Sequence, residues 1–533
     1  MHSLSSRTKL IIRRTILILL ILFAIYYLPQ LLVRGIIRRN LDAKIERLKL
    51  AGITVTYDNF VFNPYIRQFK IYDVHFSISE KNDSSKYGTI QTLEITGLRI
   101  RKLLKEKKFI ARDLSLYHPV FYTRSQHNIE KEVRSPPVEQ FLREVYFRSV
   151  TLHDAQWVRM DSSFHVFMQM HTDRIQSHNV LITNLNTDKI HLDFTSIVLA
   201  RYTMNLPDDA CKLTLNRAIY FNRNQLLTCD SINLIPTLDK RAFAAFFGQQ
   251  KDRIAAQWKN IRIDDFSIDV SKPLKLLGRK LSFSFTLQSY RDKSYPFSKT
   301  SRSPLPAELL DSMNVKFSFD TLLITDSYAE YEELSFDSRP PGQIYFNIDT
   351  VFTRNVNNLR YRKTISLDII GKFMNSGSMK LKCTIPTMTN GSYALSGKIE
   401  KIPLTKFNAI LNSAALLGFE RGTLDSLTFA MSYTDSVSGG WMKMSIDTLD
   451  INVFKAKNIH RKALLKTFIL DKIIAKKVPD SRFISGTLHF DRDPRRSIFH
   501  YWWRTLFSGI RETMGLDKFR AAKEELKDKR REK

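Results

Sequence analysis

The chain has 533 residues, of which 43% are hydrophobic and 11% aromatic, so it carries enough apolar surface to fold and is not globally disordered. A chain of this length rarely folds around one compact core, which predicts an extended or divided architecture. The net charge of +30 favours partners that carry phosphate, either nucleic acid or anionic lipid, without separating the two.

The first predicted element is a transmembrane helix over residues 15–33, a run without charged residues. As a helix it would span roughly 28 Å, close to the thickness of a bilayer core. Basic residues precede it and no small-residue cleavage site follows, so we interpret it as an uncleaved signal anchor with residues 1–14 as a short cytoplasmic tip. The residues expected to hold it in the membrane are Leu17, Leu20, Phe23, Tyr26 and Tyr27.

The charges beside this segment do not orient it, because Arg34, Arg38 and Arg39 follow it and balance the basic residues before it. A buried helix of a soluble domain is the alternative. Residues 34–50 are predicted to form an amphipathic juxtamembrane helix that stops near Gly52.

From residue 51 the chain changes to two-residue periodicity, which predicts a repetitive β-sheet over residues 51–400. In a recurring unit, an alternating apolar run breaks at a polar pair and resumes in the opposite phase. Three copies are clear: Val315, Phe317 and Phe319 before Asp320-Thr321; Ile344, Phe346 and Ile348 before Asp349-Thr350; Met442, Met444 and Ile446 before Asp447-Thr448. Looser copies occur at residues 90–93, 194–197, 229–232 and 424–427.

A slip of one residue would normally expose the apolar face, so each polar pair predicts either a bulge that keeps the same face inward or a corner between strands. Both devices curve a sheet. The predicted fold is therefore mainly β with a few α-helices: an elongated, curved, mostly antiparallel β-groove capped by C-terminal helices. The nine apolar residues of the three clear copies are the candidate lining of the groove. A sandwich of ordinary hairpins is the alternative.

Breaks in this pattern predict loops at residues 125–137 and 291–306. A short helix that caps or plugs the sheet is predicted over residues 239–250, around Phe243, Phe246 and Phe247. Another helix is predicted through residues 464–474, with packing as its expected role.

The three cysteines, Cys211, Cys229 and Cys383, form no C-x-x-C pair and accompany no histidine cluster. No metal site and no cofactor are therefore expected. Three small buried thiols are the favoured interpretation, and a bridge between Cys211 and Cys229 is the alternative.

Several segments resemble AsmA-like proteins. Residues 403–450, with Leu404, Phe407 and Asn408 followed by GTLDSL at 422–427, resemble the C-terminal region of that family, which we place at residues 401–496. The N-terminal anchor, a strand at 53–57 and the run FIARDLSLYHP at 109–119, taken as strand, turn and proline, are similar to the family's opening. The ending GTLHFDRD at 486–493 is similar to a branch from Bacteroidetes.

This resemblance implies a single-pass inner-membrane protein with most of its chain in the periplasm. It further implies a β-groove that shields or transfers phospholipid for envelope and outer-membrane homeostasis. The alternative is a non-enzymatic scaffold that assists outer-membrane protein or envelope assembly, with sheet edges receiving partner strands.

Residues 497–533 are predicted to form an amphipathic aromatic helix followed by a charged tail. Trp502, Trp503, Leu506 and Ile510 make it a candidate interfacial helix at a membrane surface. The alternative is a helix that docks on the end of the sheet and seals it.

A basic cluster surrounds Glu106, and it is expected either to face lipid headgroups or to form a solvated turn. Its members are Arg99, Arg101, Lys102, Lys105, Lys107, Lys108 and Arg112. No nucleic-acid-reading motif occurs, so nucleic acid is not an expected partner. Hydrolase, P-loop, dinucleotide and metalloprotease motifs are also missing, and the pairs His153-Asp154 and Asp264-Asp265 are expected at strand ends without a catalytic role. We predict that the protein is not an enzyme.

Overall fold

The structure, a computed structural model, describes residues 45, 46, 49, 53–63, 65–79, 85–124, 142–161, 163–184, 191–206, 209–270, 273–298, 300–335, 340–359, 364–387, 389–415, 417–455, 458–462 and 484–513. The predicted anchor at 15–33, the loop at 125–137, the helix at 464–474 and the charged tail lie outside these residues. Of the predicted helix at 34–50, residues 45, 46 and 49 are described and are helical. No helix within the described ranges is long and apolar enough to cross a membrane.

The chain divides into two compact units, of which unit 1 ends at Asp209 and regains residues 213–223. Its strands are β1 (Ile53–Thr56), β2 (Asn59–Asn63), β3 (Gln68–Ser79), β4 (Ser85–Thr96), β5 (Lys108–Arg124), β6 (Glu144–Met160), β7 (Val166–Thr183), β8 (His191–Asp193), β9 (Ser196–Asn205) and most of β10 (Cys211–Phe221). Helix α1 (Ile100–Glu106) connects β4 to β5. Pairing runs from β3 through β4, β5, β6 and β7 to β9. Strands β5 and β6 are parallel, and the other pairs in this series are antiparallel.

Unit 2 holds residues 210–212 and the chain from Asn224 onward. Its strands are β11 (Leu226–Pro236), β12 (Arg253–Asp264), β13 (Ser267–Asp269), β14 (Lys275–Asp292), β15 (Lys316–Leu334), β16 (Gly342–Asn357), β17 (Ile365–Phe373), β18 (Gly377–Ile385), β19 (Tyr393–Pro403), β20 (Leu417–Tyr433), β21 (Val437–Lys455), β22 (Asn458–Lys462) and β23 (Ile484–Asp491). Its helices are α2 (Lys240–Phe247), α3 (Pro306–Ser312), a 3-10 turn (Leu404–Phe407), α4 (Asn408–Ala415) and α5 (Ile498–Thr513). Among the described residues of this unit, neighbouring strands pair antiparallel except for the parallel pair β14 and β15.

The predicted mainly β, mostly antiparallel character is confirmed, and the polar pairs of the clear repeats lie inside continuous strands rather than at corners. Where β16 pairs with β17, the register shifts between Ile348 and Thr350, which makes Asp349 a bulge residue. Where β20 pairs with β21, the register shifts between Gly422 and Thr423, opposite the Asp447-Thr448 pair. The looser copy at 194–197 is instead a break between β8 and β9.

Two other local predictions have different outcomes. The helix predicted over 239–250 is confirmed as α2, which Asp239 caps by accepting a hydrogen bond from the Ala242 amide at 2.7 Å. The run at 109–119 contains no turn, because it lies within β5, where His118 takes a φ of 48° directly before Pro119. The boundary placed between residues 400 and 401 falls inside β19.

The C-terminal part of unit 2 has a closed core beneath α5. Tyr501, Thr505, Gly509 and Thr513, each four residues apart, form the buried stripe of this helix. The stripe packs on β21 and β23, where Met442 is 0% exposed. This helix therefore packs on the sheet through its small residues.

The four residues proposed for a membrane interface divide between two environments. Trp502, Leu506 and Ile510 pack against the closed core, whereas Trp503 is exposed and stacks on Phe507. The tryptophan pair does not form one surface, because consecutive helical residues point about 100° apart.

Close approach of α5 to the sheet depends on Gly509. A Cβ at this position would stand 2.5 Å from Leu488 Cδ2 and 2.7 Å from Met442 Sδ, and both side chains are buried. We expect Gly509→Leu to lower the free energy of unfolding by about 1–3 kcal/mol, since overpacking forces side chains and backbone to shift. Phe499→Leu, at an exposed site of the same helix, should change it by less than about 0.5 kcal/mol in urea unfolding. Equal effects of the two substitutions would contradict the docked position.

Candidate functional site

An uninterrupted aliphatic row crosses the sheet of unit 1. Each member is the register partner of the next, so their side chains stand side by side on one face. The row consists of Ile71, Leu93, Leu116, Leu152, Ile175 and Leu199. All six are half-buried, although residues of this kind usually fill a closed core.

A second row crosses the same strands five residues away along each of them. It consists of Phe76, Gly88, Phe121, Trp157, Met170 and Met204. The ring of Phe121 lies 6.0 Å from that of Phe76 and 5.5 Å from that of Trp157, centroid to centroid. The five side chains of this row are also half-buried.

Left-handed backbone residues separate the two rows. Asp73, His118 and Asp154 take φ values of 51°, 48° and 54° on β3, β5 and β6. Side chains five residues apart in a regular strand would face opposite sides, but one extra residue reverses the alternation. We call the level of Asp73, His118 and Asp154 the kink. Neighbouring strands keep one register on both sides of the kink, because each strand has its extra residue at this level. The two rows therefore share one face of the sheet.

The opposite face is polar at this level, which agrees with that assignment. Asp154 accepts from His171 Nε2 and lies 2.6 Å from His118 Nδ1. His171 pairs in register with Gln156, on the second-row side of Asp154. On the first-row side, burial, then Arg174 and His118, lower the pKa of His153. His153 itself stacks on Tyr117 at 4.6 Å.

These contacts correct one expectation and agree with another. Asp154 lies in the middle of β6 and not at a strand end, because the kink needs a residue that tolerates left-handed backbone. Asp264 does end β12, and Asp265 after it accepts from Arg279 Nε at 2.5 Å.

The candidate groove residues named from the sequence all lie in or beside strands of unit 2. Val315 and Phe317 are half-buried, and Phe317 stacks on the buried Phe319 at 6.0 Å. Ile344, Phe346, Ile348 and Ile446 are half-buried, and all of these but Ile348 pack against the closed core. Met442 and Met444 are buried within that core. For these two methionines the expectation of an open lining is corrected: α5 covers the face on which Met442 lies.

The rows of unit 1 were missed as candidate residues, although β5 carries the same signal as the three clear repeats. Leu114 and Leu116 alternate, the phase slips at Tyr117-His118, and Pro119 and Phe121 continue in the new phase. Histidine and aspartate at the slip conceal the pattern from a search for Asp-Thr pairs.

The thiols offer no reactive group. All three cysteines are free, so the alternative bridge between Cys211 and Cys229 is not formed. Burial raises the pKa of Cys229 and of Cys383 to about 11, which keeps both protonated at neutral pH. Across the described part of the chain, no group of three or more His, Cys, Asp or Glu side chains could hold a metal ion.

Substitution by serine should lower the free energy of unfolding by different amounts in the rows of unit 1 and in the closed core beneath α5. Leu152→Ser should lower the free energy of unfolding by less than about 1.5 kcal/mol, because a half-buried side chain in a sheet row loses less burial than a core residue and leaves no enclosed cavity. Met442→Ser should cost about 2–5 kcal/mol, because it leaves a cavity in a closed core. Chemical denaturation of the full chain measures both, and a cost at Leu152 as large as that at Met442 would show that this face is filled as well.

The carboxylate at the kink predicts a pH dependence. Hydrogen bonding from His171 and then from His118 holds the pKa of Asp154 below its ordinary value. Its contribution to stability is therefore present above about pH 4 and is lost as the pH falls through the lowered pKa. Asp154→Asn, which keeps the left-handed backbone accessible, should cost less than about 1 kcal/mol at neutral pH. Denaturation from about pH 5 down to about pH 2 should show this difference shrinking as the carboxylate is protonated; a difference that grew over that range would contradict the arrangement.

Comparison with known proteins gives no match from which a function could be proposed. A scan against protein-family models finds no matching family, and a search of curated proteins finds no match.

Proposed function

We propose that the protein is a membrane-anchored, non-enzymatic lipid-handling protein, AsmA-like in its architecture, whose apolar sheet face in unit 1 shields phospholipid acyl chains. The observation that carries the proposal is the half-buried row from Ile71 to Leu199. An apolar sheet face is normally covered by a second layer. A contiguous uncovered apolar surface is typical of a site that binds an apolar ligand.

The dimensions of the rows suit an acyl chain. Six strands spaced by ~4.8 Å place the first and last members of a row roughly 24 Å apart. This length exceeds half of the ~30 Å hydrocarbon core of a bilayer, which is the depth that one leaflet fills. The rows contain aliphatic, aromatic and methionine side chains, and the flexible methionines adapt to an irregular ligand.

The polar residues at the kink support this proposal because they lie on the face opposite the two apolar rows. Because Asp73, His118 and Asp154 keep both rows on one face, the ligand meets a continuous apolar surface while the charged groups stay on the other side. A lipid needs shielding of its chains and no reacting group from the protein, so lipid handling requires no catalytic residue.

The membrane part of the proposal draws on the sequence. The uncharged run at 15–33 and its resemblance to an AsmA-like anchor support a single-pass inner-membrane position with the two units in the periplasm. Phospholipid is the expected ligand, and a curved groove is the expected shape of the sheet that receives it.

Mass spectrometry of lipid retained by the purified full chain tests the proposal. The unsubstituted protein should retain phospholipid, and Leu116→Gln should reduce the amount per chain several-fold, because a polar amide enters the row. Ser115→Gln is the matched control, since Ser115 is a half-buried neighbour on the opposite face of β5; it should retain the original amount. Both variants should unfold at the same denaturant concentration.

The proposal would be overturned if the unsubstituted protein retained no lipid, or if the Leu116→Gln and Ser115→Gln variants retained equal amounts. Crosslinking that captures envelope proteins and never lipid would favour the scaffold alternative.

A further inference from the structure

One end of the sheet of unit 1 presents apolar side chains to solvent. Leu104 on α1 is 76% exposed and Ile100, four residues earlier on the same stripe, is 40% exposed. Ile66 in the turn between β2 and β3 is 60% exposed, and Tyr65 beside it is 54% exposed. Helix α1 has no buried residue, so packing on the sheet does not explain its apolar stripe.

Hydrogen bonds hold these segments together. The Leu98 amide donates to the Arg67 carbonyl at 3.4 Å, which joins the β2–β3 turn to the start of α1. The Tyr65 amide donates to Asn63 Oδ1 at 3.1 Å and fixes the turn itself. Residues 65–67 and 97–107 therefore form one protrusion, the α1 tip.

The α1 tip is strongly basic. Its exposed cations are Arg67, Arg99, Arg101, Lys105 and Lys107. Acidic side chains on the adjoining elements already have other cations within ion-pair distance: Glu94 with Lys70 at 3.4 Å, Glu106 with Lys102 at 2.5 Å, Asp113 with Arg112 at 2.8 Å and Glu144 with Lys108 at 2.8 Å. Within the described ranges, no acid lies in ion-pair distance of the five exposed cations.

The opposite end of the same strands is chemically different despite similar exposure. Phe164, in the turn between β6 and β7, is 59% exposed. The guanidinium of Arg124 lies over its ring at 4.2 Å, and the Asp161 carboxylate accepts from the backbone of the same turn. At this end a cation and an acid therefore stand beside the exposed ring, whereas the α1 tip has five exposed cations and no acid within ion-pair distance of them among the described residues.

We propose that the α1 tip docks on an anionic phospholipid bilayer, with Leu104, Ile100, Ile66 and Tyr65 entering the interface and the five cations facing lipid headgroups. Apolar side chains flanked by basic ones bind such surfaces through buried area and electrostatic attraction together. An acidic groove on a protein partner would also attract these cations. A tip that binds such a partner would not insert into vesicles that contain lipid and no other protein. This docking goes beyond lipid shielding and stands whether or not the sheet face carries lipid.

A fluorescent reporter tests the docking. The full chain with Ile66→Cys is labelled with an environment-sensitive dye. The unsubstituted chain is treated in the same way, and its signal measures the dye that reacts with the native cysteines. The chain is reconstituted with vesicles of phosphatidylcholine alone or of phosphatidylcholine mixed with phosphatidylglycerol. We expect a blue shift and quenching by nitroxide-labelled lipid with the anionic vesicles, and a weaker response at high salt, because salt screens exposed charges.

Two further substitutions and a matched control complete the test. Adding Leu104→Asp should abolish the response at residue 66, and Arg101→Gln with Lys105→Gln should lower the ratio of inserted to free tip about fivefold for each cation removed. The same dye at Phe164→Cys should not respond.

An equal response at both reporter sites, in both kinds of vesicle, or in the Leu104→Asp variant would overturn the proposal. So would a reporter that responds to an added envelope protein and not to lipid. Retained lipid, measured by mass spectrometry, reports separately on the sheet face.

Discussion

The left-handed residues at the kink of unit 1 are the constraint on which the site depends. In a regular strand of 17 residues, such as β5 or β6, side chains alternate between the two faces of the sheet. One extra residue in the apolar pattern would therefore place every later apolar side chain on the opposite face. A positive φ at His118 and Asp154 absorbs the extra residue locally, so apolar side chains return to the face they left. Since neighbouring strands carry the insertion at the same level, the hydrogen-bonded ladder continues with unchanged register.

The same patterning has two outcomes in this molecule. In the C-terminal part of unit 2, α5 covers the apolar face, and the approach is close because Gly509 and Gly486 oppose each other: a Cβ on Gly486 would stand 2.9 Å from the Gly509 carbonyl oxygen. In unit 1, α1 lies at the end of the sheet and contacts β5 without burying any of its own residues. One face is thereby completed by protein, and the other presents half-buried rows that a ligand can complete.

The sequence was informative about local structure and less so about which apolar surface stays open. Strand periodicity, the helix capped by Asp239 and the bulges at Asp349 and Thr448 were predictable, because each follows from neighbouring residues. The burial of Met442 was not, since it depends on a helix about 60 positions later whose small residues fit the sheet. The rows of unit 1 require register partners from six strands, and pairing across a parallel junction such as β5 with β6 is not encoded by any turn.

An experimental density map of the full chain, purified together with any lipid that it retains, shows whether acyl chains lie on the apolar face of unit 1. We expect elongated density along the rows, beside Leu116 and Phe121, and none on the polar face that carries Asp154. Density of a protein segment packed on those rows, from this chain or from a partner, would contradict it.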